Sequence, residues 1–310
     1  MTETNPLLKN IRQSSGLQLA VLFGSFFIGL LIASIGIEVV NGLGLESERT
    51  LSLLAAIFQC VFAFCIPAFL LGKFSSNNPF KWLKLTSKPS LRPFVGVVIV
   101  YIISLPAMEW LIEWNQNIQL PESLSGLEAT LRHWEKTNEE STKILLQATG
   151  LFPILAGVGV IGMLTGFSEE LFFRSGLQGI LSRSNLGQTT AIWLSAIIFS
   201  TMHFQFFGFV PRLIMGAFFG FLLVWTSDVK ISAFAHILNN SVVVITAGIN
   251  GEETLTNPDY ILLPDIPYLS VISLISTIIF LVFFRGYFFK SSTKTSILWQ
   301  KSQLPPLSGR

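Results

Sequence analysis

Apolar residues run along this chain in long blocks, not in the alternating patterns of half-buried helices or strands. A helix needs about 20 apolar residues to cross the hydrocarbon of a bilayer. Eight blocks approach or meet that length, at 17–40, 51–72, 93–112, 144–168, 188–207, 209–226, 231–248 and 267–289. They predict an all-α fold, a polytopic membrane helix bundle of about eight transmembrane helices. The fourth is expected to continue as a helix through Ser182, beyond the membrane. The sixth, GFVPRLIMGAFFGFLLVWTS, is the least regular, because it contains Pro211 and Arg212.

The connection 113–143 has a different rhythm. Leu124, Leu127, Leu131 and Trp134 recur at helical spacing opposite Glu128, Glu135 and Lys136, which predicts an amphipathic helix lying on the outer membrane surface. His133, on its flank, is given no role. The chain divides into residues 1–143, three spans with this outer-face helix; 144–250, the next four spans; and 251–310, the last span with a polar, Pro-containing cytoplasmic tail expected to be mobile. There is no internal repeat and no soluble domain.

Composition agrees with the pattern. Only 12% of residues are charged, 28 are Phe, and the mean hydropathy is +0.61, whereas soluble domains carry about 25% charged residues. A net charge of +2 and the lack of a GxxxxGK[ST] loop argue against nucleic-acid or nucleotide binding; the expected partners are the lipid bilayer and a substrate within it. Cys60 and Cys65 read as inert buried thiols. The first apolar block is longer than a signal-peptide core and reads as an uncleaved span. Of 20 Lys and Arg residues, 15 fall on one side if both termini and every second loop are cytoplasmic. By the positive-inside rule this predicts a multi-pass cell-membrane protein with both ends inside.

Charged and imidazole side chains inside spans are costly and usually face a cavity or a partner. Three clusters stand out: Glu169, Glu170 and Arg174 in GFSEELFFRSGLQG; His203 in FSTMHF; and His236, Asn239 and Asn240 in FAHILNNS. Glu170 and Arg174 are four apart and can pair on one helix face, as can Phe199 with His203 and His236 with Asn240. Glu169 points about 100° away from Glu170, free for another partner. The three clusters reach one level if the 175–195 hairpin tip projects roughly 12–15 Å into the cytoplasm. Any one of them alone is equally well read as a helix-to-helix hydrogen bond.

Together they suit peptide hydrolysis. Glu169 is a general base on water, Glu170 and Arg174 hold it in place, His203 shares the water, and His236 with Asn240 can donate to an oxyanion. No GxSxG, GxGD or HExxH signature offers another protease chemistry. The motifs EELFFR, FSTMH and HILNN match EExxxR, FxxxH and HxxxN in order, over about residues 145–250. In this the chain resembles the CAAX protease and bacteriocin-processing (Abi) family of intramembrane endopeptidases, which includes the type II CAAX prenyl endopeptidases. Ser175 stands where that family often has glycine, and Asn239 adjoins the motif amide Asn240. The resemblance implies cleavage of a membrane-associated peptide, as in CAAX-tail processing, bacteriocin maturation or self-immunity. The cofactor is left open between none and a divalent metal such as Zn²⁺, with Glu169, His203 and His236 as candidate ligands and Glu170 then free to act as base. Asn240 beside His236 favours the metal-free version. A proton-coupled transporter or a catalytically silent immunity or scaffold protein are the rival readings.

The topology is tested with reporter fusions. Fusions at residues 128 and 255 are expected to read external and one at residue 80 internal; an external signal at residue 80 overturns the orientation.

Overall fold

The computed structural model describes residues 6–44, 47–148, 150–251 and 268–288. Every regular element among these residues is helical. In chain order they are α1 (Pro6–Gln13), α2 (Ser15–Gly42), α3 (Glu48–Ser75), α4 (Pro79–Trp82), α5 (Leu91–Gln116), α6 (Ser125–Leu146), α7 (Leu151–Arg183), α8 (Gln188–Thr201), α9 (Phe209–Thr226), α10 (Val229–Asn250) and α11 (Leu269–Phe288). The polar tail from residue 292 and most of the 249–266 connection, including the fusion point at 255, lie outside the described residues.

Seven of these helices are long and apolar enough to cross a membrane: α2, α3, α5, α7, α9, α10 and α11. The chain is a multi-pass membrane protein. Its helices are apolar on all sides, as lipid-solvated helices are: α2 buries Leu22, Phe26 and Ala33 yet leaves Phe27, Leu31 and Ile35 exposed. The eighth expected span, 188–207, is instead the 14-residue α8, about 21 Å long at 1.5 Å per residue and short of the roughly 30 Å hydrocarbon layer. It ends in a turn with Phe204 at φ 52° and a 3₁₀ turn at Phe206–Gly208. Pro211 sits in the first turn of α9, where its missing N–H breaks no helical bond.

The amphipathic helix forms as α6, longer than its stripe indicated, with Leu124, Leu127 and Trp134 still exposed. It runs to Leu146, and Gly150 at φ 93° turns the chain into α7. α7 therefore starts seven residues later than the apolar block suggested.

Two contacts fix the level of α7. Ser175 donates to the Leu83 carbonyl at 2.6 Å, and the Val229 amide donates to the Lys84 carbonyl at 3.3 Å. Residue 175 thus lies level with the α9–α10 turn. Arg183, eight residues on, lies about 12 Å beyond it, which is the projection that lets the three polar clusters share a depth.

The seam between α7 and α10 uses small residues, as lipid-embedded helix pairs do. Gly162 and Gly166 form a GxxxG pair whose missing side chains admit Ser241 and Ile237 of α10; a Cβ on Gly166 would stand 3.0 Å from the Ile237 amide nitrogen. This close approach brings the next turn of α7, with Glu169 and Glu170, against His236.

Gly166→Val is expected to force α7 and α10 apart, costing about 1–3 kcal/mol as overpacking does, and to lower the unfolding temperature in detergent. An unchanged transition would show that the seam tolerates a side chain.

Candidate active site

The site begins with a buried cation. Arg174 is fully buried, in a shell of aromatic rings: its guanidinium lies 4.5 Å from the Phe199 ring centroid and 5.4 Å from that of Phe219. Such a group needs a counter-charge. Glu170, one turn earlier and equally buried, supplies it, with Arg174 Nη1 3.0 Å from Glu170 Oε1. Arg174 Nη2 also donates to the Gly216 carbonyl of α9 at 3.1 Å. The i, i+4 pair expected from the sequence is present, and it ties α7 to α9 as well.

Glu170 Oε1 takes a second partner, His236 Nδ1, at 2.9 Å. With the carboxylate as acceptor, this bond places a proton on Nδ1 and turns Nε2 the other way. That nitrogen lies 3.7 Å from Glu169 Oε2. His236 therefore stands between the two adjacent glutamates, one on each ring nitrogen. The Phe219 ring stacks on it at 5.0 Å and Phe199 meets it edge-on at 5.8 Å.

π-helical turns at Val158–Thr165 and Leu171–Gln178 flank the Gly166–Glu170 segment of α7. Such wide turns are often found at functional sites. They rotate residues 166–170 relative to the helix on either side, and both glutamates face α10.

His203 lies just past the end of α8, with Nδ1 on the Phe199 carbonyl at 2.8 Å. The Phe199 ring touches both imidazoles, His203 at 4.9 Å and His236 at 5.8 Å. His203 makes no hydrogen bond to Glu169 or His236 among the described residues.

Asn240 is not paired with His236. Its amide donates to the Ile161 carbonyl of α7 at 3.2 Å, and its carbonyl oxygen accepts from Asn239 at 3.3 Å. The expected His236–Asn240 oxyanion pair is thus divided: the imidazole is held by Glu170, and Asn240 keeps one N–H unengaged among the described residues.

Of the candidate zinc ligands, Glu169 and His236 lie 3.7 Å apart, and among the described residues no group of three His, Cys, Asp or Glu side chains is formed to hold a metal ion. Cys60 and Cys65 are free thiols; Cys60 meets Thr165 at 3.4 Å.

α6 covers the turn that carries His203. Glu135 accepts from the Phe207 amide at 3.1 Å, Asn138 donates to the Phe204 carbonyl at 3.4 Å, and the Arg132 guanidinium lies 4.1 Å from the Phe207 ring centroid. Burial raises the Glu135 carboxyl above its usual range, against the lowering effect of the Phe207 amide. On another side, an apolar cleft of about 720 Å³ opens between α5, α9, α10 and α11. It reaches Phe219 and Asn239, the neighbours of His236 and Asn240.

The sequence did not reveal these tertiary partners. The bridging role of Glu170, the stacking of Phe219 and the acceptor Gly216 carried no local signal. Gly216 does lie four residues after Arg212, and that spacing was open to reading.

Arg174→Ala leaves Glu170 buried without its cation and is expected to destabilise the bundle by about 3–5 kcal/mol, measured as loss of the folded fraction in denaturant. A protein of wild-type stability would show that water reaches the pair.

No curated protein and no solved structure matches the chain. A family model does match, over the segment that holds all three motifs and the geometry above: residues 151–242 fit the model for type II CAAX prenyl endopeptidase Rce1-like proteins.

Proposed function

We propose that this protein is an intramembrane endopeptidase that hydrolyses a peptide bond in a membrane-associated protein or peptide. The observation that carries this reading is the His236 bridge. Glu170, neutralised by Arg174, fixes Nδ1 and leaves Nε2 beside the carboxylate of Glu169. A base and an oriented imidazole then face one space without a strong bond to each other.

In the mechanism, a water donates one hydrogen to Glu169 and the other to the Nε2 lone pair of His236, while His203, across the Phe199 ring from His236, flanks that water. Glu169 takes a proton as the water oxygen bonds to the scissile carbonyl carbon. The carbonyl π pair moves onto oxygen, where the remaining N–H of Asn240 stabilises it. As the C–N bond breaks, Glu169 returns the proton to the leaving amine. Glu170 and Arg174 are positioning residues. No step passes through a metal.

The apolar cleft beside Phe219 and Asn239 supports an apolar substrate that reaches the site from the bilayer, in keeping with CAAX-type processing, bacteriocin maturation or self-immunity. Placement in the cell membrane with both termini cytoplasmic follows the positive-inside pattern and requires the short α8, with the turn after it, to act as the eighth crossing beside the seven long helices.

Glu169→Gln keeps the shape but cannot accept the proton, and is expected to abolish turnover with an unchanged fold. Asn240→Ala is expected to lower kcat by about 10²–10³-fold. Wild-type activity should survive 1,10-phenanthroline. The decisive comparison is the set of membrane peptides cleaved in cells carrying wild-type protein or Glu169→Ala. Identical sets, or full activity in Glu169→Gln, would end this reading.

A further inference from the structure

Four neighbouring helices each place two residues one turn apart around the same point. These are Glu170 and Arg174 on α7, Phe199 on α8 with His203 just past its end, Arg212 and Gly216 on α9, and His236 and Asn240 on α10. Arg174, Phe199 and Gly216 touch one another. Arg174 donates to the Gly216 carbonyl at 3.1 Å and its guanidinium lies 4.5 Å from the Phe199 ring. A Cβ on Gly216 would stand 3.1 Å from that ring. They form one tier.

Short connections make α7, α8 and α9 successively antiparallel. One step of four residues from this tier, about 6 Å, therefore leads in the same direction to Glu170 on α7, to His203 just past the end of α8, where its Nδ1 still meets the Phe199 carbonyl, and to Arg212 on α9. Glu169, Glu170, His203 and His236 form the reacting tier of the proposed mechanism. Arg212 belongs to that tier by the same geometry.

Its surroundings also mark it out. Gln205, two residues from His203, accepts from Arg212 Nη2 at 2.5 Å and aims the guanidinium. Gly208 leaves room for it: a Cβ there would lie 3.0 Å from Nη2. Nη1 is buried with no hydrogen-bond partner among the described residues, although an unpaired buried donor is costly. Arg212 is close enough to act electrostatically on His203, Glu169 and Glu135. Glu135 itself is held by the Phe207 amide.

We infer that Arg212 is a catalytic residue whose free Nη1 donates to the oxyanion formed on the scissile carbonyl. The assignment rests on the hydrolytic reading above. Charge balance suits the role. Before reaction the base Glu169 carries the negative charge of this tier. As Glu169 takes the proton from water, its negative charge passes to the substrate oxygen, and a fixed cation stabilises that charge without reorganising. The charge returns to Glu169 when the C–N bond breaks and the amine takes the proton. Asn240, with one N–H committed to Ile161, then supplies the second donor.

The test uses the full-length chain in lipid nanodiscs with an internally quenched prenylated CAAX peptide. Its partner probe is the same peptide with a phosphinate, a tetrahedral anion, at the scissile position. Arg212→Gln is expected to lower kcat by about 10²–10³-fold with KM unchanged, the pattern of an interaction made only in the transition state. It should also lose the tighter binding of the phosphinate over the parent peptide. Arg212→Lys keeps the charge but not the aim; it should stay folded with an intermediate kcat, and it stands in if the Gln variant does not fold. A raised KM with unchanged kcat would make Arg212 a substrate-binding residue and overturn the assignment. Unchanged kinetics, or an undiminished phosphinate preference, would do the same. If the wild type neither binds nor cleaves the peptide while Arg212→Gln matches it in stability, the hydrolytic reading falls, and this role with it.

Discussion

The ion pair between Arg174 and Glu170 is the constraint on which the rest of the site depends. A guanidinium buried among Phe173, Phe199 and Phe219 has no water to solvate it, and removing its partner would leave a charge in an apolar bundle. The carboxylate must therefore come to it. The remaining donors of Arg174 must also find acceptors, which draws the Gly216 carbonyl of α9 inward. Glycine at 216 is what lets that backbone approach, because a side chain would meet Phe199 and the guanidinium.

The chemistry follows from the same pair. Glu170 Oε1 meets Arg174 at 3.0 Å and His236 Nδ1 at 2.9 Å, so the same carboxylate oxygen that serves the cation also fixes the imidazole. The stacked Phe219 ring fixes the plane of the imidazole. What remains for reaction is Nε2 and the neighbouring Glu169. In the proposed mechanism the two adjacent glutamates have different tasks: Glu170 is paired with Arg174 and holds His236, and Glu169, beside Nε2, is the base.

The scaffold holds this arrangement with little polar material. Glycines at 162 and 166 bring α7 onto α10, π turns on either side of Glu169 and Glu170 rotate them inward, and α6 lies over the turn after α8 through Glu135 and Asn138. Around these few hydrogen bonds the bundle is apolar throughout. The buried Glu169, Glu170, Arg174 and His236 gather at one place, while other buried polar side chains such as Gln178, Ser195 and Ser232 bond singly to backbone carbonyls elsewhere.

The sequence alone determined what depends on local spacing and on solvent. Long apolar blocks fixed an all-helical membrane bundle, since only helices satisfy their own backbone in lipid. Four-residue spacing fixed the Glu170–Arg174 pair, because the helical period puts those positions on one face. The order of EELFFR, FSTMH and HILNN was enough to show the family likeness now seen over residues 151–242. Tertiary structure decided the partners between helices. It gave His236 to Glu170 and not to Asn240, gave Asn240 to the Ile161 carbonyl, left Glu169, His203 and His236 ungrouped as metal ligands, and turned α8 back after 14 residues. Those outcomes depend on how far each helix is rotated about its axis and how closely it approaches its neighbour. Both are set by glycine contacts and π turns many residues away in sequence, and no period along the chain records them.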